Sequence, residues 1–318
     1  MRQGGTLVAG PWLSEVGFEV LYWLPFLAWV AERHDVAPER LIAISRGGAG
    51  VWYKGLAGTY ADVFERWTPD DLKRAQHERA TSATRSQKQL APTPGERELL
   101  RELLADRGVD PDAATLIHPS AVYLGFKGFW DGWRGIDTVR RRTRNLVLPS
   151  PPTDAAFGLP SDYVAVKIYF SDCFPDTAAN RASAARVVQE LAAEVDVVLL
   201  ATGLDLDDHA ELSESGASRV RDLSSAMLPE TNLAVQTSII AGARGFVGTY
   251  GGFSYLAPFL GVPSLSFYTE ENFVPGHLEV MRRALIDLQR SRPAADFTAR
   301  RLEGLDIRTA ASRWAVVG

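Results

Sequence analysis

From residue 163 to the C-terminus, short apolar runs alternate with longer stretches whose apolar residues recur at helical spacing. Residues 163–170, 196–201, 219–223, Gly245–Thr249 and Ser264–Tyr268 read as strands. Residues 178–194, 230–243, 254–260 and 276–289 read as the helices between them. A strand that returns to its sheet through a helix pairs in parallel, and a parallel strand covered on both faces is apolar throughout rather than alternating. The pattern therefore predicts a doubly wound α/β sheet with ligands at the carboxyl ends of its strands. The first half carries a fainter version. Residues 6–10, Leu41–Ser45 and 115–118 are strand candidates, a helix runs to about His34, and polar helices fill residues 69–107.

A chain of 318 residues fits two such domains. The proline-rich stretch 148–160 is the natural linker, because proline continues neither a helix nor a central strand. It divides the chain into residues 1–150 and 151–318. The net charge of −5 argues against nucleic-acid binding, which needs a basic surface. A single cysteine, Cys173, leaves no intrachain disulfide and no four-thiolate zinc site, and makes the cytoplasm the expected compartment. The apolar run 20–30 follows Glu15 and Glu19, is interrupted by Pro25 and is too short to span a bilayer, so no transmembrane segment is expected. No P-loop, His-Glu-x-x-His or Gly-x-Ser-x-Gly pattern is present.

The most informative segment is Gly248-Thr249-Tyr250-Gly251-Gly252-Phe253-Ser254-Tyr255-Leu256-Ala257, continuing to Leu260-Gly261-Val262-Pro263. A strand ends at Thr249, two glycines allow close backbone approach, and Ser254 is placed to cap a helix whose amide end favours phosphate. An ordinary strand-turn-helix junction has the same composition. The Leu-Ala, Leu-Gly and Pro elements resemble, in register, the nucleotide-sugar motif of the lipopolysaccharide heptosyltransferase superfamily. Tyr255 stands at that family's histidine, and Gly248-Thr249 near its Asp-Thr. A second segment, Gly17-Phe18-Glu19 through Leu24-Pro25, is similar to the family's N-terminal signature with Phe18 inserted.

The resemblance implies two Rossmann-like domains facing across a cleft, the GT-B architecture, and a metal-independent, inverting glycosyltransferase with no cofactor. Its substrates would be a nucleotide-sugar donor and a glycan, lipid-linked or small-molecule acceptor. Glu19 falls on the family's catalytic aspartate, a general base for the acceptor hydroxyl, with Glu15 as the rival in the same loop. Lys167 resembles the phosphate-contacting lysine. Thr249, Gly251, Gly252, Phe253, Ser254 and Tyr255 are expected to line the sugar-nucleotide site.

Glu270, after the last predicted strand, could accept from ribose hydroxyls, and Arg46 is a candidate on the acceptor side. Asp205 and Asp207 could mimic a metal-binding Asp-x-Asp, although such acids more often form a solvated loop. Arg134, Arg140, Arg141, Arg142 and Arg144, interleaved with Trp130 and Trp133, form a basic cluster that reads either as a solvated face or as a contact for an anionic acceptor or membrane. A nucleotide-sugar epimerase, a pyruvyl transferase and a non-catalytic nucleotide- or carbohydrate-binding protein are the alternatives on the same architecture.

Overall fold

The computed structural model describes residues 5–82, 88–204, 206, 209–212, 218–289 and 295–314. The chain divides into two compact units. One holds the residues up to Pro149 together with Leu228–Ala234 and Gly276–Val280, and the other holds the remainder.

The N-terminal unit is built on a sheet of β1 (Leu7–Ala9), β2 (Leu41–Ser45), β3 (Thr59–Asp62) and β4 (Thr115–Ile117). All pairs are parallel, in the order β3-β2-β1-β4. The short helix α1 (Val16–Phe18), a π-helical turn at Glu19–Trp23 and α2 (Leu24–His34) follow β1. Helices α3 (Pro69–Thr81) and α4 (Pro94–Ala105) precede β4, and α5 (Ser120–Trp130) and α6 (Asp137–Arg140) follow it.

The starts of α3 and α4 are written in the sequence as Thr-Pro followed by an acid. Thr68 accepts from the Asp71 amide at 3.3 Å, Thr93 accepts from the Glu96 amide at 3.2 Å, and each acid bonds back to its threonine's N–H at 2.8 Å. These are capping boxes with proline at the first helical position. Leu99, Leu100, Leu103 and Leu104 then place one face of α4 in a core with Val8, Ile42 and Ile44.

The C-terminal unit has six parallel strands in the order β10-β9-β8-β5-β6-β7. They are β5 (Tyr163–Lys167), β6 (Asp196–Leu199), β7 (Val220–Asp222), β8 (Gly245–Thr249), β9 (Ser264–Tyr268) and β10 (Phe297–Arg301). The helices that follow β5 in the chain are α7 (Ala178–Glu194), α8 (Asn232–Gly242), α9 (Gly252–Phe259), α10 (Pro275–Leu288) and α11 (Ile307–Trp314), with the first turns of α8 and α10 belonging to the N-terminal unit. Thr177 caps α7 by accepting from Asn180 N–H at 3.1 Å, as its position suggests. Val164, Val166 and Ile168 pack on one face of β5 with Val187, Val188 and Leu191 of α7. Period-2 alternation therefore directs Ala165 and Lys167 to the other face.

The doubly wound expectation holds in both halves. Two strands escaped the sequence reading. β3 and β10 are edge strands, half-exposed over much of their length, and they lack the continuous apolar run of the central strands. Among the described residues, no helix is long and apolar enough to cross a membrane.

Candidate functional site

In the C-terminal sheet the strand order reverses between β5 and β8. β6 and β7 lie on one side of β5, and β8, β9 and β10 on the other. Loops leaving such a pair go to opposite faces and open a crevice at the carboxyl ends. Lys167 ends β5 and pairs in register with Gly248, while Thr249 ends β8. The two segments singled out in this half of the sequence therefore meet at the switch point.

The backbones approach closely there. A Cβ on Gly248 would stand 2.4 Å from the Lys167 carbonyl oxygen. Buried Thr249 accepts the Tyr169 N–H at 3.2 Å, tying the continuation of β5 to the end of β8. Gly251 has φ +154°, and a Cβ on it would overlap the Tyr169 hydroxyl, so only glycine fits. Gly252 opens α9.

Lys167 is buried. Its Nζ donates to Leu200 O at 2.9 Å and to Glu211 Oε1 at 2.6 Å, and it lies 4.8 Å from the centroid of the Phe253 ring. Glu211 is held by Thr202, whose N–H and hydroxyl both donate to Oε2, at 2.6 and 2.9 Å. The lysine, the Thr202 amide and the Thr202 hydroxyl thus converge on one carboxylate, an arrangement that could equally hold a phosphate oxygen. His209 stacks on Tyr169 with ring centroids 5.4 Å apart. Phe170 N–H and Leu212 N–H bond the carbonyls of Ala210 and Ile168, so residues 209–212 run along the end of β5.

Two expected site residues, Ser254 and Tyr255, are buried, and a third, Glu270, is exposed. Ser254 does not cap α9 forward. It lies in the first turn, its hydroxyl donating to Gly251 O at 2.7 Å and accepting from Gly251 N–H at 3.1 Å, and it is fully buried. Tyr255, at the position of the family's histidine, is buried against Tyr250 and Phe297. Glu270 is exposed, and its backbone N–H bonds Cys173 O at 3.0 Å.

In the N-terminal unit Glu19 is buried, with 1 % of its surface exposed. Its Oε1 accepts from the Ser45 and Tyr53 hydroxyls, each at 2.6 Å. Burial pushes its pKa up to about 7, against the opposing pull of the two hydroxyls and Arg46. The carboxylate that the sequence offers as the base is thus enclosed by Ser45 and Tyr53 rather than exposed.

The physical reason lies in the helix. The Leu24 N–H bonds the Glu19 carbonyl, an i to i−5 bond, so the turn Glu19–Trp23 takes up one extra residue. The insertion that motif matching places at Phe18 is absorbed after it. Phe18, directly after Gly17, holds the half-exposed position, and Glu19 is turned about 100° further round, into the core.

Glu15 remains at the surface and pairs with Lys88 at 2.7 Å. The Lys88 ammonium also sits 4.1 Å from the centroid of the Phe18 ring, whose edge contacts involve Trp130 and His277. The Tyr22 hydroxyl and His277 Nδ1 lie 2.6 Å apart, and burial, with nearby Lys88, lowers the imidazole pKa to about 4.

Arg46 is also buried, donating to Ser14 O at 3.2 Å, and so braces the loop after β1 rather than facing solvent. Sequence reasoning missed Asp62, which accepts the Gly47 and Gly48 N–H groups at 3.2 and 2.7 Å and thereby shapes the turn after β2. It also missed Ser45, Tyr53, Thr202 and Glu211, which carry no motif. Asp205 and Asp207 lie outside the described residues. Among the described ones, no cluster of three or more His, Cys, Asp or Glu is arranged to hold a metal.

Fold and switch point define a protein of two parallel α/β units with a candidate ligand crevice in the second. No family model and no curated protein sequence matches the chain. Among solved structures, it is similar to the ADP-heptose lipopolysaccharide heptosyltransferase II of Escherichia coli, at 16% identity over 98% of this chain and 97% of that one, with a TM-score of 0.49. It is also similar to a family 9 glycosyl transferase from Veillonella parvula (12% identity, 84% and 82% covered, TM-score 0.43). A third is the UDP-GlcNAc 2-epimerase of Methanocaldococcus jannaschii (9% identity, 98% and 99% covered, TM-score 0.35).

Proposed function

We propose that the protein is a glycosyltransferase that takes a sugar from a nucleotide diphosphate and passes it to an acceptor hydroxyl. The observation that carries this reading is the meeting of Lys167 with the Thr249–Gly252 turn at the β5/β8 switch point. There a lysine, the Thr202 N–H and hydroxyl, and a glycine turn entering α9 supply what a diphosphate needs.

In the reaction the acceptor oxygen bonds the anomeric carbon while the bond to the phosphate oxygen breaks. The electron pair leaves with the diphosphate, and the acceptor proton passes to a carboxylate. Direct displacement of this kind inverts the anomeric centre. The C-terminal unit stabilises the leaving group with fixed donors, without a metal ion. In the loop after β1, Glu15 is the accessible carboxylate, so the base role passes to it from Glu19. Glu19 instead holds Ser45 and Tyr53.

The test is a panel of nucleotide sugars, following release of the free nucleotide diphosphate. Turnover of one member with release supports transfer, interconversion of two members indicates an epimerase, and affinity alone indicates a binding protein. In the active assay, Glu15→Gln is expected to lower kcat about 10²–10⁴-fold, the usual contribution of a general base, with nucleotide affinity unchanged. Unaltered kcat in Glu15→Gln would remove Glu15 from the mechanism.

A further inference from the structure

The basic stretch after β4 acquires a shape in the structure that its sequence alone does not have. Residues 127–144 carry Lys127, Arg134, Arg140, Arg141, Arg142 and Arg144 against only Asp131 and Asp137, in a chain whose net charge is −5. Asp131 pairs with Lys127, Asp137 pairs with Arg140, and Arg144 pairs with Glu32.

Exposed apolar groups lie in and beside the same stretch. Leu124 on α5 is 60 % exposed, and Trp133, just beyond the helix, is 79 % exposed, the most exposed of the large apolar side chains described. The Arg134 side chain lies beside Gly128, and the Arg142 guanidinium approaches Gly125. Gly128, four positions on from Leu124, shares its face of α5, and Gly125 is the next residue round the helix. Trp133 and Arg134 are fixed at the end of that helix by bonds from both their N–H groups to Gly128 O, at 2.8 and 2.9 Å. The outer side of α5 and the turn after it therefore present an exposed leucine and tryptophan together with Lys127, whose Nζ lies 5.7 Å from the centroid of the Trp133 ring, Arg134 and Arg142.

We infer that the α5–α6 surface docks the protein on an anionic phospholipid membrane. An exposed tryptophan has an apolar body and one N–H and suits the headgroup boundary, while arginines beside it meet lipid phosphates and anionic headgroups. Charge complementarity selects the membrane over a protein partner. The cations are exposed and outnumber the acids, and the exposed apolar groups beside them are few rather than a broad dry patch. The inference does not depend on the glycosyltransferase reading.

The experiment is flotation of the full chain with vesicles of phosphatidylcholine alone and with a third phosphatidylglycerol, at low and at physiological salt. Partition to the anionic vesicles, weakened by salt and absent on neutral ones, is expected. Each of Arg134→Gln and Arg142→Gln should lower it roughly fivefold, as for one cation at an anionic surface. Trp133→Ala should lower it with little change in its salt dependence. All three positions are exposed, so the fold should survive, as unchanged melting would verify. Failure to float with anionic vesicles overturns the inference. So does equal partition of the variants, or tight binding to a soluble polyanion without vesicle binding.

Discussion

At the residue scale, Glu19 shows most clearly how position overrides motif. Its letter and its distance from Leu24-Pro25 match a catalytic acid, yet the π turn sends it inward onto Ser45 and Tyr53. A consequence follows for stability. The folded pKa of about 7 lies above the ordinary 4.5. Between these values the folded state holds a proton that the unfolded state has lost. Linkage then makes the contribution of Glu19 fall as pH rises from about 4.5 to 7, by an amount on the order of 3 kcal/mol. Glu19→Gln cannot ionise and should be free of this loss. Urea unfolding of both proteins should therefore show the variant gaining on the native protein between pH 5 and pH 8. A stability difference that stays flat with pH would mean that Glu19 is not buried as described.

At the element scale, the β5 and β8 ends are positioned by a packing rule. Val164, Val166 and Ile168 claim one face, so Lys167 emerges on the other, beneath Phe253 of α9. Glu211 already occupies that lysine, and a diphosphate binding at the same place would have to displace it. Glu211→Gln keeps the size and removes the competing charge. It is expected to raise affinity for nucleoside diphosphate about tenfold in calorimetric titration, equivalent to 1.4 kcal/mol. Lys167→Met should abolish that affinity and also destabilise the protein, by about 3–5 kcal/mol, because it strands a largely buried carboxylate. Weaker binding by Glu211→Gln would mean that Glu211 serves the ligand instead of competing with it.

The central strands were legible because continuous apolar runs bounded by turn residues admit few alternatives, and Gly245–Thr249 and Ser264–Tyr268 fall where the sequence places them. Two of the four edge strands were not, since Thr59–Asp62 and Phe297–Arg301 mix polar and apolar residues without a run. In the candidate site, Lys167 and the glycine turn could be read because they sit beside strand ends. Thr202 and Glu211 could not, because only the fold brings them to Lys167. The π turn was invisible for a different reason. An extra helical residue leaves composition and periodicity almost unchanged while rotating one side chain by most of a right angle or more.

At the scale of the whole molecule, the proposed division of work between the two sheets can be tested by amide exchange. Each is parallel and has its own switch point, in the N-terminal unit between β1 and β4 and in the C-terminal unit between β5 and β8. A parallel sheet offers its ligand crevice where the strand order reverses, so either unit is architecturally able to bind a nucleotide. What separates them is side-chain chemistry. The second unit has Lys167, Thr202 and the glycine turn at its strand ends. In the first, the loop after β1 carries Glu15, and Phe18 of α1 and Trp130 of α5 meet ring to ring. Nucleoside diphosphate at a hundredfold over its dissociation constant should stabilise the protein by about 2.7 kcal/mol against unfolding. The amides it protects from exchange should cluster at residues 167–170, 200–203 and 249–254, with those of 10–18 and 117–120 unaffected. Protection confined to 10–18 and 117–120 would place the nucleotide in the first unit, reverse the proposed roles of the two sheets, and make Lys167–Glu211 a structural ion pair.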